Sequence, residues 1–274
     1  MNNNKKKWLA TPYVLWSAIF IIVPLFMIVY FGLTNKESAF DLSNLSLLLK
    51  PVYRRSLWLA VKLSLIATII CLILAYPLAM ILKGKNLKNN SFIITIFILP
   101  MWMNFLLRTI AWQNILEKTG LLNRLLEFLH LPMVHVINTP TAIIIGMVYN
   151  FLPFMILPLY NSLMKIDQNV INAARDLGAN TFYTFTKIIV PLSIPGIISG
   201  ITMVFVPSLT TFAISKILGG SKINLIGNLI EQEFLSKNNW HTGSGLSLVL
   251  MVIILISMTI VNKYDKDTEG ANTW

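Results

Sequence analysis

Apolar residues in this chain come in long runs. Six of them, at roughly 11–32, 57–82, 92–112, 141–160, 188–209 and 246–262, are close to or above the ~20 residues a helix needs to cross a bilayer. Polar connections separate the runs. Backbone polar groups inside lipid must be satisfied within the segment, so the runs predict an all-α integral membrane protein with six transmembrane helices. The first run follows Lys5, Lys6 and Lys7, as the apolar part of a signal peptide would. Its stretch from Tyr13 to Phe31 is longer than such a region, and no A-x-A-like site follows, so a retained span is expected. Pro24, Pro77, Pro100, Pro153, Pro158, Pro191, Pro195 and Pro207 lie in or at the ends of the runs. Proline removes a backbone donor and kinks a helix, which fits ordinary bundle geometry as well as hinges and cavity-lining bends.

One connection is too long for a simple turn. Residues 171–191 read INAARDLGANTFYTFTKIIVP. Within 167–187, Ala174, Leu177 or Gly178, Phe182 and Phe185 recur at spacings of three and four, predicting a short amphipathic helix. Its first turns are small (Ala173, Ala174, Gly178), which lets another surface approach the backbone. Periodicity alone leaves two neighbours open: a docked protein or the lipid headgroups.

Composition strengthens the membrane reading: 55% of residues are hydrophobic and only 12% charged, against about 25% charged in soluble domains. The net charge of +11 would point a soluble protein toward nucleic acid. Here the basic residues cluster beside apolar spans, as cytoplasmic loops and anionic lipid require, and nucleic acid is not an expected partner. With Lys5–Lys7 placed in the cytoplasm, the loops on that side carry eleven Lys and Arg in 59 residues, against nine in 88 opposite. Lys83, Lys85 and Lys88 in one short loop support this orientation, Arg54 and Arg55 oppose it, and both termini are expected in the cytoplasm. Cys71 is the only cysteine and lies in an apolar run, where a thiol behaves as a small hydrophobe. His130, His135 and His241 lack metal-ligand spacing. No nucleophile–base constellation, Walker loop or HExxH string occurs, so neither catalysis nor a bound cofactor is expected of this chain.

The run Ala173-Ala174-x-x-x-Gly178, nine residues, then Ile188-x-Val190-Pro191, resembles the EAA loop of ABC importer permeases, E-A-A-x3-G-x9-I-x-L-P. Asn172 stands in place of the glutamate and Val190 in place of the leucine. The stretches AARDLGA, LPMWMNFLLRTIAW, GLLN at Gly120–Asn123 and GGSKINLIGNLIEQEF resemble the PotB-type permease subunits of spermidine/putrescine importers, over roughly 56–262. The resemblance implies a type I ABC importer permease fold, with a cytoplasmic coupling helix between the fourth and fifth spans at about 167–187. It implies that Asn172, Ala173, Ala174, Arg175, Asp176 and Gly178 meet a partner ATPase, which would hold the ATP and magnesium. It also implies a bacterial plasma-membrane location, a second similar permease, two ATPase copies and an extracytoplasmic binding protein. Three regions are expected: 1–56, comprising the N-terminal segment, first span and outer loop; the permease core at 57–262; and a cytoplasmic tail at 263–274.

A polyamine path needs carboxylates, aromatic faces and amide or carbonyl oxygens. The six runs contain no Asp or Glu, so carboxylates are expected from the companion permease and neutral polar or aromatic groups from this chain. Trp102 and Asn104 in the third run, and Tyr149 and Asn150 in the fourth, are the candidates; each also suits plain helix packing. Glu231 and Glu233 in an outer loop are candidates for attracting a cation or touching a binding protein. Arg108 is a poor polycation ligand, expected to pair with a neighbour or reach the interface. Two rival readings stand beside this one: a permease for ferric iron, thiamine or an anion, and a channel or carrier working without an ATPase.

Overall fold

The computed structural model describes residues 12–35, 39–84 and 99–271. Lys5–Lys7, Lys85, Lys88, the opening of the third run at 92–98 and the last three residues of the tail lie outside the described residues. The principal helices in chain order are α1 (Pro12–Gly32), α2 (Pro51–Gly84), α3 (Phe105–Leu116), α4 (Leu121–Phe128), α5 (Pro140–Lys165), α6 (Gln168–Asp176), α7 (Thr181–Leu192), α8 (Ile194–Thr210), α9 (Ala213–Leu218), α10 (Ile226–Glu231) and α11 (Trp240–Ala271). Among the described residues the only strand-like pairing is an isolated bridge between Thr34 and Phe40.

Among the described residues, four helices are long and apolar enough to cross a membrane: α1, α2, α5 and the Trp240–Val261 part of α11. Helices α7 and α8 make a fifth crossing if taken as one, bent by 64° at Ser193. The bend has a local cause: Pro191 and Pro195 bracket it, and neither can donate to the carbonyl four residues earlier. The third run is not the single helix its hydropathy predicts. Leu99 to Trp102 are helical, Met103 and Asn104 leave the helix, and α3 restarts at Phe105. Asn104 causes the restart, because its Oδ1 accepts from the backbone N–H groups of Leu106 (2.9 Å) and Leu107 (3.3 Å).

The chain forms two compact units, one of residues 1–55 and 229–255, the other of 56–228 and 256–274. In the first, α1 is apolar on every side and its Tyr13, Trp16, Phe20 and Phe26 are exposed, as suits a helix surrounded by lipid. Its end is tied down by polar groups. The Thr34 carbonyl accepts from Asn44 Nδ2 (2.9 Å) and from His241 Nδ1 (2.7 Å).

The second unit is built on α5 and α8. A Cβ at Gly196 would lie 2.4 Å from Ser162 Cβ and 2.8 Å from the Pro158 carbonyl, and one at Gly200 would lie 2.5 Å from Met155 Sδ. Small residues therefore let the two helices meet backbone to backbone, as in membrane helix packing generally. Cys71 is buried in this unit, as its apolar run predicts.

Candidate functional site

The segment between α5 and α8 is not one amphipathic helix. Helix α6 starts at Asp167, whose Oδ1 accepts from Asn169 N (2.9 Å), and stops after Asp176 because the chain turns left-handed at Gly178 (φ +85°). There Gly178 N donates to the Arg175 carbonyl (2.9 Å) and Ala179 N to the Ala174 carbonyl (3.0 Å). This is the Schellman pattern, with glycine at the position that needs positive φ. Asn180 then opens α7 by accepting from Tyr183 N (2.7 Å). The expected apolar stripe is broken by this turn: Ala174 is buried, whereas Leu177 is 89% exposed and Phe182 is exposed.

Exposure divides the expected contact residues. Asn172, Ala173, Arg175, Asp176 and Gly178 are exposed, while Ala174 faces the protein. A Cβ at Gly178 would meet open space, so its small size is not needed for packing within the chain. Asn172 lies in the middle of α6, where its Oδ1 accepts from Gln168 Nε2 (3.3 Å). The cap belongs to Asp167, so the missing glutamate at 172 leaves α6 capped. Beside the turn lies an open depression of about 480 Å³, lined by Ala174, Leu177, Gly178, Ala179, Asn180, Tyr183 and Ile188. Ala173 on α6, Leu177 at its end and the hollow at the Gly178 turn are therefore all open to the surroundings.

The four residues proposed for a substrate path do not share one environment. Trp102 is 80% exposed beside the break in the third run, and Asn104 is committed to capping α3. Tyr149 packs edge-on against Trp112, with centroids 5.2 Å apart. Asn150 is buried, its Nδ2 donating to the Gly146 carbonyl (2.9 Å), and its Oδ1 has no partner among the described residues. Arg108 makes no ion pair with an acid among the described residues. It is 7% exposed, and its Nε and Nη1 have no partner among the described residues.

Glu233 is buried rather than displayed. Its Oε1 accepts from Tyr53 Oη (3.0 Å) and Lys237 Nζ (2.7 Å). That hydrogen bond holds the Lys237 ammonium above the ordinary lysine range. A raised lysine adds stability below its unfolded pKa, lost only as pH rises through the folded value, so the pair persists at neutral pH. Glu231 is partly exposed.

Two motif stretches serve the fold. The buried Asn123 of Gly120–Asn123 donates to the carbonyls of Glu117, Lys118 and Val134 and accepts from Val134 N. The buried Asn228 joins Ser215 Oγ, Leu225 N and the Phe212 carbonyl. Sequence reasoning missed the roles of Tyr76, Lys83 and Ser193 at the ends of the segment. Tyr76 Oη lies 2.7 Å from Ser193 Oγ, and Lys83 Nζ donates to the Ile166 carbonyl (3.3 Å). Only the serine between two prolines offered any hint.

The family described as "Binding-protein-dependent transport system inner membrane component" matches residues 1–269. The spermidine/putrescine transport system permease protein PotB of Haemophilus influenzae is 37% identical, over 97% of this chain and 96% of its own. That of Escherichia coli K12 is 36% identical over 89% and 92%. The PotB homolog of Mycoplasma genitalium is 32% identical over 84% and 80%. In fold, the chain is similar to one from a bacterial alginate ABC transporter crystallised with alginate pentasaccharide-bound periplasmic protein. The TM-score is 0.78, with 16% identity and 94% of each chain covered. A chain of the MetNI methionine ABC transporter gives a TM-score of 0.54 at 15% identity, covering 79% of this chain and 94% of its own.

Proposed function

Because the chain belongs to the family of binding-protein-dependent transport system inner membrane components, we propose that it is a permease subunit of an ATP-driven importer for spermidine and putrescine. The observation that carries this reading is the 37% identity to a PotB permease along nearly the whole of both chains. The chain is a multi-pass inner-membrane transport subunit and not an enzyme. ATP and magnesium sit on a separate ATPase, two copies of which work with this chain, a companion permease and an extracytoplasmic binding protein.

The surface from α6 through the Gly178 turn to the start of α7 meets the ATPase, with Asn172, Ala173, Arg175 and Asp176 in contact and Ala174 and Gly178 shaping the backbone. ATP binding draws these segments together and turns the cavity from inward- to outward-facing. The spans hold no acid, so the companion permease supplies the carboxylates for the polycation. This chain contributes Trp102 and Tyr149 as aromatic faces and Asn150 as an unspent amide oxygen, with Asn104 shaping the path as the cap of α3. Glu231, partly exposed in the outer loop, faces the binding protein, whereas Glu233 is buried against Tyr53 and Lys237.

The test is reconstitution of the chain with its companion permease, ATPase and binding protein in vesicles. ATP-driven uptake of spermidine or putrescine is expected, with loaded binding protein stimulating hydrolysis. Stimulation by thiamine- or iron-loaded protein alone would overturn the substrate, and uptake without the ATPase would overturn the ABC mechanism.

A further inference from the structure

The segment from 167 to 192 is strapped at both exits to one helix, α2. At its start, Lys83 Nζ donates to the Ile166 carbonyl, immediately before the Asp167 cap of α6. At its end, Tyr76 Oη meets Ser193 Oγ at 2.7 Å, in the joint between α7 and α8. Tyr76 and Lys83 are seven residues apart, two turns along one face of α2.

The Ser193 joint has the features of a pivot. It is fully buried, it carries the 64° bend, and the prolines on either side remove two of the helix bonds that would stiffen it. The turns just before it, Phe185–Ile189, are wound as π-helix, with Val190 N reaching back to the Phe185 carbonyl. With Ser193 Oγ donating to the Val190 carbonyl (2.9 Å), Tyr76 Oη is the donor across its contact with Ser193 Oγ. The Tyr76 ring also packs edge-on against Phe185 at 5.5 Å. Beyond the joint, α8 is locked to α5 by the close contacts at Gly196 and Gly200. A push on α6 and α7 therefore meets a rigid α5–α8 pair on one side and the tethered α2 on the other.

The geometry points to Tyr76 and Ser193 as a positioning pair: a tyrosine–serine latch that holds the joint and passes displacement of α6–α7 into α2. This rests on the reading that the segment meets an ATPase. The pair touches neither substrate nor nucleotide. Its loss lets α7 swing at the joint, so ATP is consumed without moving the spans in step.

Tyr76→Phe removes the hydroxyl and keeps the ring on Phe185, Ser193→Ala removes the acceptor, and Ser193→Thr restores one. Each is reconstituted with companion permease, ATPase and binding protein, and co-purification, ATP turnover and spermidine uptake are measured together. Expected for the first two is normal co-purification with uptake per ATP reduced about five-fold, the equivalent of one net hydrogen bond of about 1 kcal/mol. The double variant should be no worse than either single, and Ser193→Thr should recover most of the ratio. Wild-type uptake per ATP in Tyr76→Phe, or additive losses in the double variant, would overturn the latch. Should Ser193→Ala fail to assemble, Tyr76→Phe decides. Wild-type uptake that proceeds without the ATPase would instead remove the coupling reading on which the latch rests.

Discussion

At Gly178 two explanations for a glycine compete, and they make opposite predictions. A Cβ there meets nothing within 4 Å, but the backbone sits at φ +85°, where an L-residue costs about 1–2 kcal/mol. The Schellman turn favours the second explanation, since asparagine tolerates this conformation better than alanine. Gly178→Ala is therefore expected to lower thermal stability by about 1 kcal/mol and weaken ATPase co-purification, whereas Gly178→Asn keeps most of both. Equal loss in the two would show that empty space, rather than backbone shape, is what the partner needs. Ala173 tests the surface without touching the turn, because it is exposed in mid-α6. Ala173→Trp should leave the chain inserted and abolish co-purification, and normal co-purification would move the docking face elsewhere.

Among the helices, hydropathy found where apolar elements lie but not where they break. The third run is apolar through Met103 and Phe105, so nothing in its periodicity marks the interruption. The break comes from one side chain, Asn104, offering the backbone a competing acceptor. Asn104→Ala should cost about 1 kcal/mol of stability in thermal unfolding of the purified complex, and Asn104→Asp should cost much less. An unchanged unfolding temperature in Asn104→Ala would mean that the cap does not hold the break. The same competition splits 167–187, where a continuous amphipathic pattern crosses a turn set by Gly178 and Asn180. Spacing reads helix through such a turn, because residues three and four apart keep their rhythm across it.

For the whole molecule, the expected orientation rests on charge and not on packing. Lysines crowd the loop between the second and third runs, and basic residues resist translocation. A membrane-impermeant maleimide should label Leu131→Cys in intact cells and Lys88→Cys only after permeabilisation. The reverse pattern would invert the topology and take the 167–192 segment away from a cytoplasmic ATPase. Internal Cys71 adds little background, being buried.

Apolar run length and basic loops were enough, from sequence alone, for an all-helical membrane chain, because both depend on solvent transfer and not on neighbours. The spacing of Ala173, Ala174, Gly178 and Pro191 singled out 171–191 as a local amphipathic segment, but not the left-handed turn at Gly178 that divides it. Contacts between distant residues decided the rest. That Glu233 meets Tyr53 as well as its neighbour Lys237 depends on a side chain 180 positions away. That Arg108 is buried depends on what packs over it, and that Ser193 is a tethered joint depends on Tyr76 coming from another helix. No periodicity encodes such meetings, because they are fixed only when the helices pack.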